Sequence, residues 1–524
     1  GRAGPAAVAA VVCWLAAAGA RGGGFEYGAN GAAAVGRAGA FVARGDNPST
    51  LYYNVAGMGR MEEGTHVLLD ANLVLRTLSF QRAGTMDFAP SNRFAVNGLP
   101  FPEVSDRAGL HPAPFLAVVT DLGLGSDFVF GFGLFGPAAP GRADFPTQVT
   151  VTNNLGEPTL VPSPQRYDLV FAGILFVWPT LAAAWRVGDD LSWGFGFQSG
   201  FVNIVLQTTA VAATGRSAIN DMRSHIDVWD SFVPAGLFGI WYRPFKYLEL
   251  ALSARVSDGI DASGDLITVS NPYGVDGQSP VASDRYDGYN AAMGEHAPRA
   301  MLSFGWPALV VRTGFRFVWP RDAGGGVGDE ADADAERSIA RLAPSRREWF
   351  DIELDVTYEM NSSVRDFRTK VTGVVPTTDP ELPPLPVRPT GDPATDGILG
   401  MPRDWQDTVA VRLGGDVNFL EGDLSIRWGF LFETSTVPES MTRLDYAQWE
   451  TYGVSGGVAV RMPWWGLELT ASYLRLFMPD RVVSLGGARV IAALAGDDAD
   501  LPVINEGRYE GAMNIFAIGA GARF

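Results

Sequence analysis

Residues 349–360 alternate strictly. Phe350, Ile352, Leu354, Val356 and Tyr358 fall on one side, and Asp351, Glu353, Asp355, Thr357 and Glu359 on the other. A period of two belongs to a β-strand with two unlike faces. The pattern recurs in 65–79, 191–201 and 408–419, where Val409, Val411, Leu413, Val417 and Phe419 oppose Thr408, Arg412, Asp416 and Asn418. A soluble antiparallel sheet would need a second layer over its apolar face. The sequence offers no amphipathic helices to supply one. A closed barrel in lipid needs no such layer, because hydrocarbon covers the apolar face and the lumen takes the polar one. A cation at the bilayer midplane costs about 2–4 kcal/mol, and a carboxylate less. The four carboxylates of 351–359 are therefore expected to face the lumen. Arg412 and Arg427, on the next two predicted strands, face the same way, where opposite charges on neighbouring strands offset one another.

Composition agrees with a barrel. Hydrophobic residues make up 47% of the 524 positions and charged residues only 19%, less charge than a water-soluble domain carries. Mean hydropathy nevertheless sits near zero, too low for a bundle of apolar helices. The best candidate for a spanning helix, Leu169 to Trp185, is short and interrupted by Pro179, so it reads as a loop end followed by a strand. The net charge of −18 argues against nucleic acid, whose phosphates require Lys and Arg. Residues 1–23 read as a secretory signal peptide whose beginning lies before Gly1. Arg2 is its basic start, Ala6 to Ala18 its apolar run, and Ala18-Gly19-Ala20 its cleavage site. The single cysteine, Cys13, lies within it, so the exported chain is expected to carry no disulfide or cysteine metal site. Lipidation of Cys13 is disfavoured, because Val12 stands where a small residue is needed.

Tight connections are expected at 123–126, 188–190, 244–246, 420–422 and 463–465, with Trp185, Trp193, Tyr242, Tyr247, Trp464 and Trp465 crowding them as an interface girdle. Long connections are expected at 80–112, 137–175, 207–228, 257–307, 372–405, 436–450 and 479–512. Short and long ones alternate, as up-and-down topology requires. Residues 297–306 and 363–372 break the order. Counted as extra strands they give sixteen; left out they give fourteen, with the acidic insert 324–348 as an excursion.

The segment from Phe25 to Met58 resembles the start of the FadL/TodX family of outer-membrane transporters. The residues that carry the likeness are Gly31, Gly36-Arg37-Ala38-Gly39-Ala40, Asp46-Asn47-Pro48-Ser49 and Tyr53-Asn54-Val55-Ala56-Gly57-Met58. The family has Asn-Pro-Ala where this chain has Asn54-Val55-Ala56. Phe130-Gly131-Phe132-Gly133-Leu134-Phe135-Gly136-Pro137, Asp404-Trp405-Gln406-Asp407, Ile426-Arg427-Trp428-Gly429 and the terminal Ala520 to Phe524 also fit. The resemblance implies an all-β fold: a transmembrane antiparallel β-barrel of fourteen strands in the bacterial outer membrane. Residues 25–64 would form an N-terminal hatch plugging the lumen and 65–524 the barrel. The Gly and Ala content of the hatch suits close backbone packing in a narrow lumen, and Asn54, Val55, Ala56 and Gly57 form its motif. Phe524 implies recognition by the barrel-assembly machinery.

The implied activity is passive transport of hydrophobic small molecules such as long-chain fatty acids or aromatic hydrocarbons, by a monomer without enzymatic activity or cofactor. In the family, a kink in the third strand opens the wall sideways. Carried over, that region comprises Gly131, Phe132, Gly133, Phe135, Gly136 and Pro137; the glycines alternatively ease curvature. Candidate substrate contacts are Phe25 and, at the end of the third outer loop, Leu169, Phe171, Ile174 and Leu175, too apolar for an ordinary wet loop. Two other functions remain: a general porin for polar solutes, and a barrel lipid hydrolase using a Ser-His pair. Of the four histidines, His66 falls on the predicted lumen face, and His111, His225 and His296 in predicted loops. The acidic runs Asp329 to Asp334 and Asp497 to Asp500 lack the glycine-turn spacing of calcium loops and read as solvated.

Overall fold

The structure, a computed structural model, describes residues 26–88, 94–123, 127–137, 141–211, 221–274, 280–282, 299–321, 344–372, 374–375, 385–386, 398–462, 466–484, 486–490 and 503–524. The signal-peptide segment, Phe25, His296, Trp464, Trp465, both acidic runs and most of the insert 324–348 lie outside them.

Fourteen antiparallel strands close into a barrel. In chain order they are β1 (Thr65–Arg82), β2 (Glu103–Ser105 and Leu110–Thr120), β3 (Phe128–Phe135 and Arg142–Asp144), β4 (Phe171–Val187) and β5 (Leu191–Val211). Then come β6 (Asp221–Phe245), β7 (Leu248–Ser257 and Ile260–Ser270), β8 (Arg299–Phe304 and Leu309–Pro320), β9 (Glu348–Glu359 and Asp366–Thr372) and β10 (Ile398–Pro402 and Thr408–Phe419). β11 (Leu424–Glu433), β12 (Thr451–Met462), β13 (Leu467–Val483) and β14 (Gly507–Arg523) complete the wall. Each strand pairs with the next, and β1 closes on β14 with Val67 opposite Ala522. Phe350, Ile352 and Leu354 point outward, while Asp351, Glu353 and Asp355 are buried inside, as the cost of charge in hydrocarbon requires. Outward-facing Leu69, Phe195, Val256, Phe430 and Ile518 are exposed. A band of this kind is stable against hydrocarbon and not against water.

The residues that suggested two extra strands are the far halves of β8 and β9. Arg299–Phe304 pairs with Ile260–Asp265 of β7, and with Phe367 to Thr372 of β9. Four adjacent strands, β7 to β10, are interrupted between their halves. Pairing also lapses between Val177 and Thr180 of β4, without a change of register, and slips between Asp230 and Val233 of β6. Pro179, Pro234 and Pro307 stand at or beside these breaks, where a missing N–H does least harm. The expected long loop 207–228 is mostly strand, because β5 and β6 pair as far as Val211 and Asp221. His111 and His225 accordingly sit in β2 and β6, not in loops.

Inside the ring lies the segment 26–64. It contains α1 (Ala32–Val35), α2 (Thr50–Tyr53) and a tight helical turn, Val55–Arg60. All three are too short to stand alone, and the barrel supplies their partners. The Asp70 carboxylate of β1 accepts from Ala32 N at 2.7 Å, and Asn54 Nδ2 donates to Ile240 O of β6 at 3.1 Å.

Candidate functional site

The acidic stripe of β9 receives the hatch. Arg37 Nη2 lies 2.7 Å from Asp351 Oδ2 and 3.0 Å from Glu353 Oε2, and its Nη1 lies 2.7 Å from Asp416 Oδ1. Arg44 Nη1 reaches Asp416 Oδ2 at 2.8 Å. Asp355 accepts Phe41 N at 2.7 Å and Val42 N at 3.0 Å. None of the Arg37, Asp351, Glu353 and Asp416 side chains is exposed. Buried ions of this kind hold only when each is paired. Arg427 serves the same cluster, 3.2 Å from Asp416, while Arg412 pairs with Glu433 at 3.1 Å on the neighbouring strand. At the start of the hatch, burial alone would raise the Glu26 carboxyl. The guanidiniums of Arg255 and Arg312 and the Tyr52 hydroxyl outweigh it and hold the group below the usual carboxylate range.

The strand glycines on the inner face make room for this plug. A Cβ on Gly429 would stand 2.2 Å from the Arg37 carbonyl carbon, and one on Gly194 2.4 Å from Ala56 N. Gly429→Val is expected to lower the stability of the folded barrel by about 1–3 kcal/mol through overpacking. The check is the temperature at which the compact band on a denaturing gel is lost. An unchanged temperature would mean that the hatch does not press on that wall.

Beyond the hatch lies a cavity of about 320 Å³, at the small end of the range for small-molecule sites. Val74, Val202, Phe176, Trp306, Leu476 and Met513 line its inner part. Phe176 and Trp306 meet edge to face at 4.8 Å. The same cavity is lined by Leu116, Leu134 and Leu175, which are exposed on the outer wall. It reaches the wall because β2 and β3 part company. Their last pair is Phe115 with Phe135. Beyond it, among the described residues, Leu110–Pro114 pairs only with β1, and β3 is next paired at Arg142, against β4. Pro112 and Pro114 alternate along this unpaired edge and have no N–H to leave unsatisfied. A hatch residue braces the break: Asn30 Nδ2 donates to Gly136 O at 3.0 Å, and Asn30 Oδ1 accepts from Asn72 Nδ2 at 3.1 Å.

This plugged barrel with an interrupted third strand superimposes on solved structures along nearly its whole length. A Pseudomonas aeruginosa FadL homologue matches with a TM-score of 0.67 at 14% identity, covering 96% of this chain and 100% of its own. The chain has the FadL fold. The Ralstonia pickettii toluene transporter TbuX matches at 0.57 and 14% identity, and the Pseudomonas putida toluene transporter TodX at 0.58 and 10%; each covers 95% of this chain and 99% of its own. No family model matches the chain, and no curated protein matches it in sequence.

Within the FadL fold, the residues singled out from sequence fall in different places. Gly131, Phe132, Gly133 and Phe135 belong to a regular strand that stays paired on both sides through Phe135. The break starts at Gly136, where a Cβ would stand 2.5 Å from Phe176 O. Gly131 has a packing role, since its Cβ would meet Met58 Sδ at 2.5 Å. Phe135 is buried and stacks on Phe115 at 4.5 Å. Pro137 and Ile174 line the cavity. Ile174 and Leu175 are strand residues of β4, as is Phe171, and Leu175 points out at 51% exposure. Leu169 offers no capture surface; it is sealed in an outer-loop core with Leu78, Phe80, Leu444 and Trp449. Asn54 fastens the hatch motif, accepting Ala56 N at 3.1 Å and donating to Val42 O at 3.2 Å. Val55 and Ala56 are buried in the turn that follows, and a Cβ on Gly57 would stand 2.2 Å from Thr50 Oγ1.

Asn30, Arg37 and the 111–114 edge were not among the sequence candidates. A proline at alternate positions of an otherwise strand-like run was the available signal. His66 Nε2 is 2.8 Å from Glu62 O, and His225 Nδ1 2.8 Å from Gln207 Nε2. No serine partners either ring in these bonds. Among the described residues no cluster of His, Cys, Asp and Glu is arranged to hold a metal.

Proposed function

We propose that this protein passively carries small hydrophobic molecules across the bacterial outer membrane, as a monomer, releasing them sideways through the gap between β2 and β3. The observation that supports this most is the continuity of one apolar cavity from the barrel interior to the lipid-facing wall. The hatch, with its buried ion cluster, obstructs the straight path to the far side. An apolar molecule gains about 0.8 kcal/mol per CH2 on leaving water, so it moves downhill into the cavity and then into lipid with no nucleotide. The solved TbuX and TodX structures are described as toluene transporters, which favours the same class of cargo here. The plug disfavours a general porin, and the histidine partners disfavour a hydrolase. The exposed Phe524, whose N–H donates to Thr65 O at 2.9 Å, is read as the assembly signal.

The test is uptake of labelled toluene by outer-membrane-bounded cells with and without the protein. Faster uptake in its presence is expected, and equal rates would reject the proposal.

A further inference from the structure

The cavity's charge balance bears on what it accepts. Among the described residues, three basic side chains line it: Arg76, Arg142 and His111. Arg76 is buried and already committed. Its Nη2 and Nε lie 2.8 Å and 3.2 Å from Asp106 Oδ2. Asp106 is in turn fixed from behind. Its Oδ1 accepts Ala108 N and Asp144 N, each at 2.9 Å, and its side chain is 1% exposed. Arg142 sits at the outer rim, 47% exposed, 3.6 Å from Asp144 and 5.0 Å from the Phe171 ring, where solvent weakens any pairing. The lining's one carboxylate, Asp445, is held by both Nη atoms of Arg403 at 3.0 Å and 2.6 Å. The rest of the wall is predominantly apolar.

We infer that the cavity takes uncharged cargo, and that Asp106 is the specificity-determining residue that excludes carboxylates by neutralising Arg76 in the cavity wall. This rests on reading the cavity as the cargo site. A carboxylate entering it would have to leave water and pull Arg76 from a fixed, buried partner. An anion buried without a cation of its own is expelled. An aromatic hydrocarbon can enter without drawing Arg76 from Asp106, because it carries no charge that needs a partner.

The geometry also says how to reverse the preference. In Asp106→Asn the amide oxygen can keep accepting Ala108 N and Asp144 N, so the turn is preserved. The amide NH2 then faces the Arg76 guanidinium and cannot pair with it. Arg76 becomes a free cation in the wall.

The experiment measures saturable binding of labelled naphthalene and 1-naphthoate to the full chain in lipid nanodiscs, with empty nanodiscs subtracted. It is run at about pH 8, where a histidine of ordinary pKa is uncharged. The wild-type protein is expected to bind naphthalene at least about tenfold more tightly than 1-naphthoate. Asp106→Asn is expected to bind naphthoate about tenfold better than wild type while naphthalene binding is unchanged, which also certifies that the variant is folded. Equal or tighter naphthoate binding by the wild type would overturn the inference and leave the transport reading standing. So would an Asp106→Asn variant that binds naphthalene normally and gains no naphthoate. Binding of neither compound by the wild type would instead remove the cargo site itself.

Discussion

Arg37→Leu is expected to free the hatch without dissolving the barrel. Arg37 Nη1 and Nη2 together make four bonds, to Asp351, Glu353 and Asp416, and Nε donates to Ala40 O at 2.8 Å. Asp351 and Asp416 keep other cations: Arg316 Nε at 2.9 Å from Asp351, Arg44 and Arg427 at Asp416. Glu353 pairs with Arg37 at 3.0 Å and also accepts Ala43 N at 2.6 Å. Leucine would take the guanidinium from buried Glu353 and place apolar carbon beside two more carboxylates. Breaking a buried pair in this way costs about 3–5 kcal/mol. The strand ladders do not pass through residue 37, so the loss falls on the docking of 26–64. In planar bilayers, wild-type protein is expected to give little current. Arg37→Leu should give discrete open steps and quicker proteolytic clipping of the hatch. Arg37→Lys should lie between, since one ammonium cannot reach all three carboxylates as the fork does. A closed, protease-resistant Arg37→Leu protein would show that the hatch is held mainly by packing.

Where charge met hydrocarbon, the sequence was legible. Asp351, Glu353 and Asp355 could face only one way, and the alternation at 65–79, 191–201 and 408–419 followed the same physics into β1, β5 and β10. Where the wall rises beyond the apolar band, the signal fades. The far ends of β5 and β6, Gln207 to Thr209 and Asp221 to His225, are polar on both faces, so a paired strand there looks like a loop. The broken strands misled differently. Arg299–Phe304 alternates as a strand should, and nothing local tells whether such a run continues its neighbour or turns back; only its pairing with β7 and β9 decides. Leu169 looked like a capture residue because burial inside a loop cluster cannot be read from one apolar side chain. The role of Arg37 was hidden by distance, since its partners lie more than three hundred residues away. Its trace was indirect. The lumen stripe carried more acid than its neighbours' Arg412 and Arg427 neutralise, and glycines such as Gly194 and Gly429 stood where lumen side chains belong.

Ala113→Trp is expected to stop uptake while leaving the plug shut. Ala113 is in the unpaired run of β2, its side chain on the same inner face as buried Phe115 and Ala117, and it lines the cavity. An indole there would occupy a large share of about 320 Å³ and meet Gly136 and Pro137 across the gap. Among the described residues β1 alone pairs with that run, so the edge has freedom to accept the bulk, and a folded barrel should form. Toluene uptake is expected to fall at least about tenfold, because the remaining space is below that of ordinary ligand sites. Bilayer current should stay at the wild-type level, because the Arg37 cluster is untouched. The pair of variants separates the two routes across this wall. If cargo crosses sideways, filling the gap stops it and freeing the hatch is not needed for it. If cargo instead follows the barrel axis past a displaced hatch, Ala113→Trp should transport as well as wild type. That single result would dismiss the gap as a route, whatever Arg37→Leu does to the current.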